Sequence, residues 1–370
     1  AKLTQLRNER SKLVDSMTEI MVMDELAKPR QSYLLNRGAY DDRAEAVTSD
    51  TPAILPPFPS DQPRNRLGFA RWLTSPNQPL TARVTVNRYW QLFFGQGLVS
   101  TPEDFGSQGN LPTHPELLDW LAKDFMDHSW DVKRLVRQMV TSQTYRQSSQ
   151  PTKAAQEKDP ENLLYARAPR YRLPAEMIRD SALAASGLLV YKVGGPPTKP
   201  YEVAASFKPV KHEEGEGLYR RSLYTYWKRT SPAPVMIALD APKRDVCMVK
   251  RETTATPLQA FVFMNDPQFV EAARVLSASL TKQYRDDTAS IVADAFHRLV
   301  SRQPSQSEHK VLTTMLEEQT QHFASHANQA KDFLNIGQAE TDAALDAPKT
   351  AALAVVINAL MAYDETVMKR

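Results

Sequence analysis

The sequence predicts a mainly α fold: a multi-helical single large domain with a minor β component and long irregular loops. Three observations carry that prediction. Apolar residues recur at helical spacing through most of the chain after residue 65. Helix starts are marked by proline directly after a capping residue, at Thr256-Pro257 and Asp266-Pro267. Alternating runs of strand type are short and confined to residues near 20–40 and 219–228. The 370 residues, 42% hydrophobic and 24% charged, have a globular composition and enough length for a sizeable core.

Residues 1–16 have a helical pattern. The stretches EIMVMDEL and QSYLLNRGAYD then read as short extended segments bounded by Pro29 and Gly38. Residues 41–64 turn acidic and then carry Pro52, Pro56, Pro57, Pro59 and Pro63, which neither a helix nor a central strand accepts. This is the candidate boundary, dividing residues 1–60 from a helical domain at 61–370. The first residues lack an apolar signal-type core and begin inside a helical pattern without an initiator Met, so a leader or an earlier domain is expected upstream.

In TARVTVNRYWQLFFGQG, Thr81 serves as a helix start. Val86, Tyr89, Trp90 and Phe93 fall on one face, and Gly95 suits the helix end. Arg83, Asn87 and Gln91 share another face, where Asn87 and Arg88 are candidates to line a ligand site. Next come Asp104, His114, Glu116 and Asp119. Thr113 and Glu116 have the spacing of a capping box, which leaves His114 at the first helical position, free to face a ligand. Amphipathic helices follow over 131–145 and from Pro174 to Gly187, with Arg167, Arg170, Arg172 and Arg179 forming a basic cluster. Residues 191–217 form a long excursion marked by Gly and Pro.

Over 219–228, Leu223, Thr225 and Trp227 alternate with Ser222, Tyr224, Tyr226 and Lys228, a strand signal rich in aromatics. Between Tyr219 and Arg251 eight cations face only Asp240 and Asp245, whereas Ser305–Arg370 carries nine acids against five cations. Arg220, Tyr224, Lys228, Arg229 and Arg251 are therefore candidates for an anion-binding surface, in which aromatic faces stack on sugar rings and guanidinium forks grip acidic groups. The tail from 284 reads as helices. His322 and His326 are four apart, but Phe323 follows the first of them and the metalloprotease pattern is absent, so no metal is expected there.

The stretch TTATPLQAFVFMNDPQFVEAAR reads as two helices. Thr256 caps the first, with Gln259 at the capping-box position, and Asp266 caps the second. Pro267 forces the break at Asn265. Asn265 is expected to point its amide into the pocket lined by the 220–229 segment, and the new helix start offers N–H groups to a polar ligand. Asp104, His114, Asp240 and Asp266 are the candidate catalytic groups.

Several classes are excluded. The single cysteine, Cys247, permits no internal disulfide, thiolate metal cluster or haem attachment motif. A net charge of +3 gives no footprint for nucleic acid, and no apolar run is long enough for a membrane span. Walker, dinucleotide and nucleophile-elbow motifs are missing.

Three blocks resemble the signature blocks of domain of unknown function 1553: RNRLGFARWLTSPNQPLTARVTVNRYWQLFFGQGLVSTPEDFGSQGNLPTHPELLDWLA, RRSLYTYWKRTSPAP and CMVKRETTATPLQAFVFMNDPQFVEAAR. The resemblance spans roughly residues 64–366, and residues 1–60 resemble the end of the partner domain that usually precedes it. This is the C-terminal domain of planctomycete-type proteins that carry a cytochrome c-like domain. It implies an extracytoplasmic, periplasmic setting, haem c in a separate N-terminal domain rather than in this chain, and a role in polysaccharide breakdown. The expected partners are an anionic or sulfated glycan, the N-terminal domains and sulfatase-like proteins. A non-catalytic scaffold and a glycan hydrolase with paired carboxylates are the alternatives. The chain departs from the family pattern at Ala233 and Ala255.

Overall fold

The structure is a computed structural model that describes residues 2–369 except 27, 29 and 205–208. It is mainly α: among the described residues there are fifteen α-helices and two small two-stranded sheets. The chain divides into two compact units, Ala1–Arg83 and Val84–Arg370.

The first unit contains α1 (Lys2–Ser16), the hairpin strands β1 (Ser32–Leu35) and β2 (Arg43–Val47), and α2 (Arg66–Leu73). The extended reading of QSYLLNRGAYD is met by β1, which pairs antiparallel with β2. EIMVMDEL forms no regular element among its described residues, and Pro29 lies outside the described residues. The proline-rich stretch packs on α2, where buried Trp72 donates its indole N–H to the Pro56 carbonyl at 2.8 Å.

α3 (Thr81–Phe94) runs into the second unit, followed by α4 (Pro115–Asp127) and α5 (Val132–Thr141). Val86, Trp90 and Phe94 meet Leu118, Leu121, Phe125, Leu135 and Met139 in one core. Trp90 stacks on Phe94 with ring centroids 4.0 Å apart, as four-residue spacing on a helix allows. The short helices α6 (Gln143–Arg146) and α7 (Lys153–Lys158) lead to β3 (Tyr171–Arg172), which pairs with the terminal β4 (Met368–Lys369).

The second core is larger. It gathers α8 (Ala175–Ser186), α9 (Pro234–Ala238), α10 (Pro257–Asn265), α11 (Pro267–Tyr284), α12 (Thr288–Val300), α13 (Gln306–Ser325), α14 (Ala327–Leu334) and α15 (Ala347–Met361). α15 is apolar on every side and buried along most of its length, the pattern of a central helix. Its Ala351, Ala352 and Ala354 allow close approach, and Ser277 of α11 donates to the Thr350 carbonyl at 2.7 Å. Buried Asn358 of α15 donates to the Phe263 carbonyl at 2.8 Å, satisfying an acceptor near the end of α10.

Two local expectations are corrected. Residues 219–228 form no strand. They follow the 3₁₀ turn Gly215–Tyr219 and hold a second, Ser222–Tyr224, with single bridges from Arg220 to Val190 and from Thr225 to Thr198. Asp180 of α8 takes both the backbone N–H and the hydroxyl of Ser222, which diverts the chain from a ladder. The cap of α4 is shifted by one residue: His114, not Thr113, occupies the N-cap and makes no side-chain capping bond. Thr113 instead follows Leu98, donating its N–H to that carbonyl at 2.9 Å.

The start of α13 carries a complete capping box between Ser305 and Glu308. Arg302 grips Glu308 with two nitrogens, at 2.9 and 2.5 Å, and reaches Glu365 at 2.8 Å. The guanidinium holds the Glu308 carboxyl well below its usual 4.5. A depressed folded-state value gives stability that is present above the ordinary range and lost as pH falls below it. The stability gap between wild type and Glu308→Gln is therefore expected to be open at pH 7 and to shrink below pH 4.5. Thermal melts from pH 7 to pH 3 measure this, and a constant gap would contradict it.

Candidate functional site

The break between α10 and α11 builds the site. Thr256 caps α10 by accepting from the Gln259 N–H, and Pro257 takes the first helical position. Pro267 cannot donate to the preceding turn, so α10 stops at Asn265 and the chain turns extended at Asp266. Asp266 then caps α11, accepting from the Gln268 N–H at 2.9 Å. Burial raises its carboxyl above the usual range, outweighing the Gln268 and Phe269 N–H groups and the nearby Arg179, which all favour the charged form.

Asp266 lines a cleft of about 480 Å³. Glu202, His212, Gln268, Glu271 and Gln338 supply its other polar lining, and Pro200, Tyr201, Leu218, Pro234, Val235 and Pro267 its apolar lining. Two buried arginines hold the wall in shape. Arg179 of α8 donates to Gln268 Oε1 at 2.6 Å, to the carbonyls of Leu218 and Arg220 at 2.6 and 3.0 Å, and to Ser222 Oγ at 3.2 Å. Burial lowers its pKa to about 10, with Asp180 and Asp266 opposing that shift, so the side chain stays cationic near neutrality.

Glu271 and Arg274, one turn apart on α11, clasp the 336–339 loop. One Glu271 oxygen accepts from the Tyr219 hydroxyl at 2.8 Å and from the N–H groups of Gln338 and Ala339, both at 2.6 Å. Arg274 donates to the carbonyls of Ile336 and Ala339. The loop passes so close that a Cβ on Gly337, at φ +90°, would lie 2.4 Å from the Glu271 carboxyl carbon. The Tyr219 hydroxyl is pushed well above its ordinary range by burial and then by Glu271.

The sequence candidates divide sharply. Of the proposed catalytic groups only Asp266 lines this cleft. Asp104 closes a turn by accepting from Gly106 N–H at 2.6 Å. His114 pairs with the Thr113 hydroxyl at 3.0 Å and lies beside the Tyr165 ring. Asp240, at φ +66°, holds Thr254 through its N–H and hydroxyl and also takes the Gln259 amide, so Gln259 does not complete the capping box.

Among the proposed ligand-binding residues, Arg220 is buried and donates to the carbonyls of Lys192, Gly194 and Pro196. Its guanidinium lies 3.9 Å from the Tyr224 ring centroid, and the Tyr224 hydroxyl accepts from Gly194 N–H. Both are fastenings of the 191–197 loop. Asn87 is fully buried and exchanges two hydrogen bonds with the Val99 backbone, while Arg88 is exposed on α3. Asn265 is exposed and donates to the Phe261 carbonyl of its own helix, which corrects the expectation that it faces a pocket. Lys228 is half-buried and Arg229 exposed. Arg251 pairs with Glu176 at 2.8 Å.

His322 and His326 stack with centroids 4.5 Å apart. His322 approaches Gln329, and the His326 ring approaches the His322 carbonyl. Cys247 is exposed.

The cleft residues that the sequence did not single out are Gln268, Glu271, His212 and Gly337. The one available signal was the acid five residues beyond Asp266 on the same helix.

A family model described as PSD1, protein of unknown function (DUF1553), matches residues 65–316, more than half of the chain. No curated protein and no solved structure matches the chain.

Proposed function

We propose that this chain, which belongs to the PSD1 (DUF1553) family of proteins of unknown function, binds carbohydrate through the cleft at the α10–α11 break. The observation that carries the reading is the lining itself. Carboxylates at Glu202 and Asp266 and amides at Gln268 and Gln338 stand beside an apolar set of prolines, Leu218 and Val235. Sugars need that combination: acceptors and donors for hydroxyls, and flat apolar contacts for ring faces. The volume of about 480 Å³ lies within the usual range for small-ligand sites.

The acidic lining favours a neutral ligand here over the anionic glycan expected from the basic segment. Binding is better supported than hydrolysis. Two-carboxylate hydrolysis needs two uncommitted acids, whereas Asp266 caps α11 and one Glu271 oxygen serves three donors, which leaves Glu202 as the one lining carboxylate without such a task among the described residues. The setting implied by the family likeness, an extracytoplasmic protein with haem c elsewhere, belongs to this proposal as well. One cysteine does not fit covalent haem c attachment within this chain.

Titration calorimetry against neutral and sulfated oligosaccharides tests the reading. A neutral oligosaccharide is expected to bind, and Asp266→Asn to weaken it about tenfold, the order of one lost charge-assisted hydrogen bond. Asparagine still caps a helix and removes a buried charge, so the melting temperature at pH 7 should hold or rise. Binding by no neutral sugar, or equal binding by the variant, would overturn the assignment.

A further inference from the structure

We propose that Arg244 and Arg251 form a second binding site, independent of the cleft, for a tetrahedral oxyanion, phosphate or sulfate. Glu176 acts there as an internal competitor. Both arginines belong to residues 242–256, which contain no helix or strand and lead directly into α10. The end of this segment is pinned rather than loose. Asp240 Oδ2 accepts from Thr254 N–H at 2.7 Å, from the Thr254 hydroxyl at 2.8 Å and from the Gln259 amide at 3.0 Å. That anchoring delivers Arg251 to Glu176 Oε2 at 2.8 Å. Arg244 stands 3.8 Å from the other oxygen of the same carboxylate, too far for a hydrogen bond, with its guanidinium 4.7 Å from the Trp227 ring centroid.

Two guanidinium groups thus share one carboxylate. They carry ten N–H donors between them, and this pairing engages one at hydrogen-bond distance. Lys243 and Lys250 flank them, exposed, against Asp245 and Glu252. A second, independent sign of unfilled polar capacity lies under Arg244: the indole N–H of Trp227 is buried and has no partner.

The resting pairs are weak competitors. Arg251 and Arg244 are 47% and 33% exposed, and exposed ion pairs contribute little because water screens them. A dianion offers twice the charge of Glu176 and more oxygens, and two arginine forks meet a tetrahedral oxyanion in bidentate fashion. In the liganded arrangement both guanidinium groups turn from Glu176 to the anion, and Arg244 shifts over Trp227.

The test has an unusual sign. Inorganic sulfate and inorganic phosphate are titrated into the intact chain by calorimetry in about 150 mM chloride, where long-range attraction is screened. Glu176→Gln removes the competitor and keeps its shape, so affinity should rise roughly two- to fivefold. Arg251→Gln and Arg244→Gln should each lower it about tenfold. Lys243→Gln should change it little. Tryptophan fluorescence should shift on binding, and Trp227→Phe should abolish the shift. Parallel titrations with glucose 6-sulfate and glucose 6-phosphate identify the source of the group: tighter ester binding marks a sugar-borne anion, tighter inorganic binding the free ion. Unchanged or weaker binding in Glu176→Gln overturns the proposal even where an arginine variant fails to fold. So does an equal loss in all the cation variants, which would mark diffuse attraction.

Discussion

Arg179→Met is expected to destabilise the protein by about 3–5 kcal/mol, the range for removing one partner of a buried charged network. The side chain is 3% exposed, and its donors serve four acceptors on two separate stretches of chain. Methionine fills similar volume but donates nothing. It leaves Gln268 Oε1 and the Leu218 and Arg220 carbonyls unpaired, and it strips positive charge from Asp180 and Asp266. Arg179→Lys keeps the charge, yet an ammonium on a flexible stem cannot address four acceptors held in fork geometry, so it should also lose most of the stability. Because Arg179 favours the charged form of Asp266 through its charge, the Asp266 titration should move further upward in Arg179→Met, whereas Arg179→Lys, which keeps the charge, should hold it nearer the wild-type position. Urea denaturation measures the first effect. A loss below about 1 kcal/mol would mean that water replaces the guanidinium at little cost, against the burial described.

The helices were legible because their signals are local. The Thr256 and Asp266 caps, the prolines at 257 and 267 and the forced break lie within a dozen residues, and each rests on backbone chemistry that needs no distant partner. The capping role of Asp266 was legible for the same reason. Arg220, Tyr224 and Asn265 looked like ligand groups because residue type says what a side chain can bond, not what has already reached it. Both terminal nitrogens of Arg220 are taken by carbonyls 24 to 28 residues away, and Arg179 is held by groups 39 to 89 residues away. The strand expected at 219–228 failed through the same long-range effect, since Asp180 captures Ser222 and alternation alone cannot report that. The local excess of cations was legible as a sum. Its pairing was not: it took the fold to bring Glu176 beneath Arg244 and Arg251.

Glu271→Ala should cost a similar amount, about 3–5 kcal/mol, and should also unfasten the cleft. Glu271 and Arg274 are 5% and 3% exposed, so neither charge can be relieved by water when the other is removed. The glutamate oxygen is the common acceptor for Tyr219, Gln338 and Ala339, which joins the 3₁₀ turn at Gly215–Tyr219 to the 336–339 loop. With alanine at 271, both loop amides lose their acceptor and Arg274 keeps only carbonyl partners, with its neighbouring carboxylate gone. Hydrogen exchange separates this from a general loss of stability. The amides of Gln338 and Ala339 should lose protection at denaturant concentrations where the α15 amides remain protected. Gly337→Ala supplies the converse perturbation: Glu271 stays, but a Cβ is forced against it from a backbone at φ +90°. Both variants should release the same two amides, because one deletes the clasp and the other pushes the loop off it. If the amides stay protected in Glu271→Ala while global stability falls, the carboxylate acts only through Arg274, and the loop closes the cleft without it.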